Sequence, residues 1–357
     1  MKRRPPQAAA LGPVPLGGSH RQTGAMSKLG WGVAAAAAGA AVAVVELVSP
    51  LPAVAAIRWL FDRDAGSCAR EMRLYSTAGP VVDRFGIRYG PAREKTRYDL
   101  HRPLGEVVAR PTIVWIHGGA WVSGTRSHVT PYVQALAAEG FTTVSVDYTI
   151  APEAGYPTPV RQISDALRHL VANAAELGVD PERIVLAGDS AGAQLASQVA
   201  AVVTNSKYAA EVGVTPPLRP GQLRALVLHC GIYDVGAVDD RRGVIAWGFA
   251  KALWAYTGSR RGAPEMSTIR AVTERYPATF VSGGDADPLT ASQSKPFAQR
   301  LGELGVPVST LFWPEGTGMP HEYQFHAHLP ESRDAFEASV TFLRETLSDD
   351  RDHPVGG

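Results

Sequence analysis

The 357-residue sequence is poor in cysteine, in charge and in repetition. Two cysteines, Cys68 and Cys230, are too few for a disulfide framework, and whether they pair with each other is left open by their positions. Cys230 lies in the apolar stretch ALVLHCGIYD and reads as a buried thiol. Charged residues make up 19% and the formal net charge is +1. That leaves no electrostatic surplus to hold a phosphate backbone, so nucleic acid is excluded as a partner. Apolar residues, at 45%, exclude a disordered chain and can fill a large core. There is no internal repeat and, outside one histidine cluster, no metal-ligand spacing, so neither metal nor cofactor is expected.

Acidic residues are absent from Met1 to Lys28, which carries Lys2, Arg3, Arg4, Arg21 and Lys28 among Pro, Gly and Ala. This stretch is expected to be a disordered basic tail. Leu29 to Val48 is then apolar apart from Glu46, close to the roughly 20 residues a helix needs to cross a bilayer. It fits a membrane anchor. It also fits a signal peptide with Ala53-Val54-Ala55 as the cleavage site, and Met26 offers a second start. Either way the basic flank keeps the N-terminus inside and puts the main domain outside the cytoplasm. A soluble Ala-rich helix, with the protein in the cytoplasm, is the plain alternative. Nothing in the pattern fixes an oligomeric state.

From about Asp83 strand-like and helix-like segments alternate, as in a sheet flanked by helices. FGIRY, TRYDLHRP, TIVWIH, FTTVSVDY, RIVLAGDS, LRALVLHCG, ATFVSGG and VSTLFWP read as strands. Tyr132–Glu139, Thr158–Leu177, Ala191–Val203 and Glu331–Thr346 read as helices. The expected division is a tail over 1–28, an apolar segment over 29–48, a cap-contributing segment over 49–82 and the main domain over 83–357. Within the main domain, residues 234–275 interrupt the alternation with Trp247, Phe249, Trp254 and Tyr256. The two irregular segments are expected to fold over one sheet edge as a lid.

Gly188-Asp189-Ser190-Ala191-Gly192 matches G-x-S-x-G at the end of an apolar strand and the start of a helix. A cramped strand-to-helix turn holds the serine hydroxyl in the open, and glycines on both sides give the backbone room. His117-Gly118-Gly119-Ala120-Trp121 directly follows the TIVWI strand. By itself a Gly-Gly pair marks an ordinary turn. Upstream of a serine elbow, the N–H groups of Gly118 and Gly119, with that of Ala191, are candidate donors to an oxyanion. Ser190 then needs a base, and the base an orienting acid, in that chain order. Asp285 and Asp287 follow one strand; His321, His326 and His328 follow the next. Both groups fall at carboxyl ends of strands, where open α/β sheets bind ligands. His128, His169 and His229 read as structural.

HGGAW, DYTIAPE, GDSAG, DADPL and PHEY together resemble the hormone-sensitive-lipase-like esterases, from roughly Asp83 to Glu345. The resemblance implies an α/β-hydrolase fold: a mostly parallel central sheet with helices on both faces and a helical cap. It implies Ser190 as nucleophile, Asp287 as acid, His321 as base, and Gly118, Gly119 and Ala191 as oxyanion donors. The substrate implied is a small-molecule carboxylic ester, cleaved through an acyl-serine without cofactor. Two positions depart from the family pattern. Thr149 stands where Arg is common, which removes an ion pair, and His-Glu-Tyr replaces the commoner His-Gly-Phe. Two other functions are open: acyl transfer or amide or formamide hydrolysis by the same triad, and a hydrolase fold that only binds a small molecule.

Overall fold

The computed structural model describes residues 48–75, 79–91, 94–238, 244–259 and 262–348. The expected basic tail and all but the last residue of the apolar segment lie outside them. Eight strands form one sheet: β1 (Val81–Arg88), β2 (Arg97–Pro103), β3 (Arg110–Ile116), β4 (Thr142–Val146), β5 (Val179–Asp189), β6 (Leu223–His229), β7 (Ala278–Gly283) and β8 (Val308–Phe312). Their spatial order is β1-β2-β4-β3-β5-β6-β7-β8. β2 runs antiparallel to β1 and β4, and every other pairing is parallel.

The longer helices are α1 (Leu51–Tyr75), α2 (Thr130–Ala138), α3 (Thr158–Ala172), α4 (Ser190–Thr204), α5 (Val244–Thr257), α6 (Lys295–Glu303) and α7 (Pro330–Leu347). Parallel neighbours need a crossover, and α2 to α6 lie in these connections, while α1 precedes β1 and α7 follows β8. Successive residues of a strand point to opposite faces. Thus Val114 and Ile116 of β3 join one core with Val160 and Ile163 of α3 and Leu195 and Val199 of α4. Ile113 and Trp115 join another with Val133 and Leu136 of α2 and Val340 and Leu343 of α7. A continuous apolar strand is therefore buried on both sides, which is why TIVWI reads without polar alternation.

Several boundaries differ from expectation for local reasons. The helix expected over Thr158–Leu177 stops at Ala172, where the Asn173 amide turns back to donate to the His169 carbonyl at 2.8 Å. One short turn follows, closed by Gly178 at φ 70°. β1 begins at Val81, inside the segment expected to precede the sheet. α6, the crossover between β7 and β8, has no counterpart in the sequence reading.

α1 and α5 come from the two segments that break the alternation, and they meet where Ile57 approaches Gly248. Buried Val54 and Ile57 join the main core. The polar side of α1 is tied to the loops after β3 and β4. Arg58 donates to the carbonyls of Val122 (2.7 Å) and Ala151 (2.6 Å) and pairs with Glu153. Asp62 accepts the Ser123 hydroxyl at 2.6 Å and the Gly124 N–H at 3.2 Å. From α5, Tyr256 stacks on Trp121 with ring centroids 5.4 Å apart. Among the described residues no helix is long and apolar enough to cross a membrane, and both cysteines are free.

Candidate active site

Ser190 sits where β5 turns into α4, with φ 50° in the left-handed region. The bend is that tight because the flanking backbones almost touch. A Cβ on Gly192 would lie 2.0 Å from the Ile116 carbonyl oxygen, and one on Gly188 would lie 2.7 Å from it. No side chain fits either position. The motif's glycines are thus set by the approach of β3 to the elbow as well as by the turn itself.

The loop after β7 brings Asp287, and the loop after β8 brings His321, to the same sheet edge. His321 Nε2 is 3.0 Å from Ser190 Oγ, and His321 Nδ1 is 2.8 Å from Asp287 Oδ2. An ionised carboxylate only accepts, so Nδ1 carries the hydrogen and Nε2 presents its lone pair to the serine hydroxyl. Asp287 is buried and its Oδ1 accepts the Leu289 N–H at 2.9 Å. Burial would lower the pKa of His321. Its hydrogen bond to Asp287, contact with Cys230 and the charges of Asp287 and Glu322 outweigh that and hold it well above the usual histidine range.

The other candidates are placed elsewhere. Asp285 accepts the N–H groups of Gly318 (2.9 Å) and Met319 (2.7 Å) and so shapes the histidine loop. His328 contacts Glu71 of α1 at 2.6 Å, with His326 nearby. His229 is fully buried against Ser282. Thr149, in place of the family's Arg, exchanges hydrogen bonds with Gln162, whose amide also reaches Glu94.

One expected donor must be corrected. The N–H of Gly118 is given to Asp189 Oδ2 at 2.8 Å, so it is not free to meet an oxyanion. Asp189 Oδ1 accepts the Trp115 indole N–H at 2.8 Å. The buried residue before the nucleophile is thus a strut between the elbow and the β3 loop. Among the described residues, the N–H groups of Gly119, Ala120 and Ala191 donate to no protein acceptor. Ala120 and Trp121 both adopt positive φ, 50° and 60°, as the loop doubles back. Sequence reasoning therefore missed Ala120. A polar cavity of about 320 Å³ behind this loop is lined by Lys95, Arg97, Arg126 and Asp147. Arg126 is already paired there with Asp99 and Asp147, apart from the serine.

Sequence reasoning also undervalued two neighbours of His321. Buried Cys230, at φ 52°, accepts the Glu322 N–H at 3.4 Å. Glu322 Oε1 is 3.7 Å from His321 Nε2. The available signal was the glutamate standing where the family pattern has glycine.

A serine, histidine and aspartate converging from β5, β8 and β7 on this sheet order define an α/β-hydrolase. A profile of the family described as alpha/beta hydrolase fold matches residues 113–325, and the chain belongs to that family. It is 25% identical over 279 residues to esterase LipQ of Mycobacterium tuberculosis, covering 74% of this chain and 60% of LipQ. It is 39% identical over 117 residues to the hormone-sensitive lipase of Bos taurus, covering 32% of this chain and 15% of that protein. The chain thus spans less than two thirds of the length of either relative. Esterase B from Lactobacillus rhamnosis superposes with a TM-score of 0.71 at 20% identity, covering 85% of this chain and all of that one, a likeness of fold.

Proposed function

We propose that the protein is a serine carboxylesterase that cleaves small to medium carboxylic esters through an acyl-serine. The observation that carries this reading is the unbroken relay from Asp287 through His321 to Ser190, at 2.8 and 3.0 Å. Ser190 Oγ attacks the ester carbonyl as His321 Nε2 takes its proton. Asp287 holds the ring in the right tautomer and stabilises the imidazolium. The oxyanion meets the N–H groups of Gly119, Ala120 and Ala191; each such donor is worth on the order of 100- to 1,000-fold in rate. The intermediate collapses by breaking the bond to the alcohol oxygen, which leaves with the proton from Nε2. Water, deprotonated by the same nitrogen, then releases the acid and restores Ser190.

The names of the relatives, an esterase and a lipase, support ester cleavage over amide cleavage. A complete triad weighs against a fold that only binds. Acyl transfer would use the same atoms with an alcohol in place of water. Turnover of p-nitrophenyl esters of increasing acyl length, with Ser190→Ala beside the wild type, tests the proposal. Equal, negligible rates for the two proteins sink it, and product moving to added alcohol favours the transferase.

We further infer that residues 29–48 anchor or export the protein, with the catalytic domain outside the cytoplasm. Support comes from the apolar length after a basic flank. It also comes from exposed Leu51, Trp59 and Leu60 on α1. Membrane fractionation of the full chain with N-terminal sequencing tests this; an intact Met1 in the soluble fraction contradicts it.

A further inference from the structure

Glu322 occupies a backbone position suited to glycine. Its φ of 57° lies in the left-handed region, which disfavours any residue carrying a Cβ. The family pattern at this point, His-Gly-Phe, would relieve that strain. Here the glutamate is held by its N–H to Cys230 Sγ and by the helical turn Tyr323–Phe325.

Its carboxylate points into the working part of the site. Oε1 is 3.7 Å from His321 Nε2, the nitrogen that faces Ser190 Oγ at 3.0 Å. On its other side lies Gly118, where an added Cβ would sit 2.9 Å from Glu322 Oε1 and 2.3 Å from Asp189 Oδ2. Two carboxyl groups therefore close on one glycine. Asp189 is fully enclosed, and burial, then the charge of Glu322, push its carboxyl well above the usual range. The Glu322 side chain, by contrast, is 32% exposed. Among the described residues its only ionic partner is His321.

A carboxylate beside an oxyanion site opposes the charge that develops there, and strain is spent to hold it. Both costs become intelligible if the charge meets something on the substrate. The leaving oxygen must come within roughly 3 Å of Nε2 to receive its proton. A group two or three bonds further along the alcohol then reaches the carboxylate.

We propose that Glu322 is a specificity residue whose carboxylate receives a cationic group on the alcohol half of the ester, as in esters of amino alcohols. The inference rests on the esterase reading above. Its test compares kcat/KM for acetylcholine with that for its neutral isostere, 3,3-dimethylbutyl acetate, using p-nitrophenyl acetate as reference. Wild type, Glu322→Gln and Glu322→Gly are measured at one pH. The wild type is expected to favour the cationic ester about five- to tenfold, and both variants to bring the ratio close to one. Glu322→Gly, released from left-handed strain, is expected to melt no lower than wild type, so a lost preference is not misfolding. A wild-type ratio near one, or a ratio that survives in both variants, overturns the proposal while leaving the esterase reading intact. Absence of turnover of p-nitrophenyl acetate overturns both.

Discussion

Asp189 Oδ2 accepts the N–H of Gly118 at 2.8 Å, joining the residue before the nucleophile to the loop that follows β3. With the Trp115 indole on its other oxygen, this carboxyl fixes the elbow and the loop as one unit. Replacing Asp189 with Ala leaves the Gly118 and Trp115 donors buried without a partner, at about 1–3 kcal/mol each. We expect Asp189→Ala to lower stability in urea and kcat together. A variant as stable and as active as wild type would show that the strut has no part in holding the donors.

The elbow glycines are expected to be intolerant of a single methyl group. In Gly192→Ala the new Cβ would lie 2.0 Å from the Ile116 carbonyl, on a backbone that cannot retreat without parting β3 from β5. The expected loss is about 3 kcal/mol or more, with activity reduced in parallel. Urea unfolding with unchanged m-value measures it; a loss below about 0.5 kcal/mol, the range of a neutral surface change, contradicts the packing described.

Activity should fall on the acid side as His321 becomes protonated, since the imidazolium cannot accept the serine proton. Asp287, Cys230 and Glu322 raise its pKa against burial, so the fall begins above the ordinary histidine value of about 6.5. Glu322→Gln removes one charge that favours the cation, and its acid limb should move to lower pH. A pH profile of kcat/KM on a neutral ester reads this. A rate that is flat down to pH 5 would remove His321 as base, and a limb moving upward in Glu322→Gln would contradict the geometry.

Acid stability has a separate origin in His229. Burial lowers its pKa from about 6.5 to about 3, so the folded state resists a proton that the unfolded chain accepts. Stability from this site is complete above about pH 6.5 and is lost as pH falls toward 3, at up to ~1.4 kcal/mol per pH unit. His229→Phe is expected to flatten the slope of unfolding free energy between pH 6.5 and 4. An unchanged slope would assign acid unfolding to other groups.

Much of this architecture is legible in residue patterns because the sheet imposes them. IVWI (113–116) and IVLA (184–187) are apolar throughout since β3 and β5 are covered on both faces. Gly188 and Gly192 are fixed by the approach of two backbones. Less legible are features that depend on which neighbour arrives in space. Gly118 looks like a donor to substrate until Asp189, 71 residues later, takes its hydrogen. Asp285 and Asp287 both follow β7, and residue pattern alone leaves them equivalent; the family resemblance picks Asp287, and the histidine loop gives the physical reason, as Gly318 and Met319 claim one and His321 the other. Glu322 was visible as a departure from a family motif, but its meaning comes from its 3.7 Å distance to Nε2.

The tie between α1 and the loops after β3 and β4 should steady the oxyanion donors. Arg58→Met cuts the bonds to Val122, Ala151 and Glu153 and is expected to cost about 1–2 kcal/mol. Because the loop after β3 carries the Gly119 and Ala120 donors, kcat should fall several-fold, less than on loss of a whole donor. Steady-state kinetics measure it, and an unchanged kcat would show that the tie has no part in holding the donors.

The central claim is that Ser190 is the nucleophile, and stoichiometric phosphorylation tests it most directly. Diethyl p-nitrophenyl phosphate mixed with purified protein should release one equivalent of p-nitrophenol as activity disappears. Peptide mapping should place the diethylphosphoryl group on Ser190, and Ser190→Ala should release none. Release by Ser190→Ala equal to wild type, or a label on any other residue, would contradict the account.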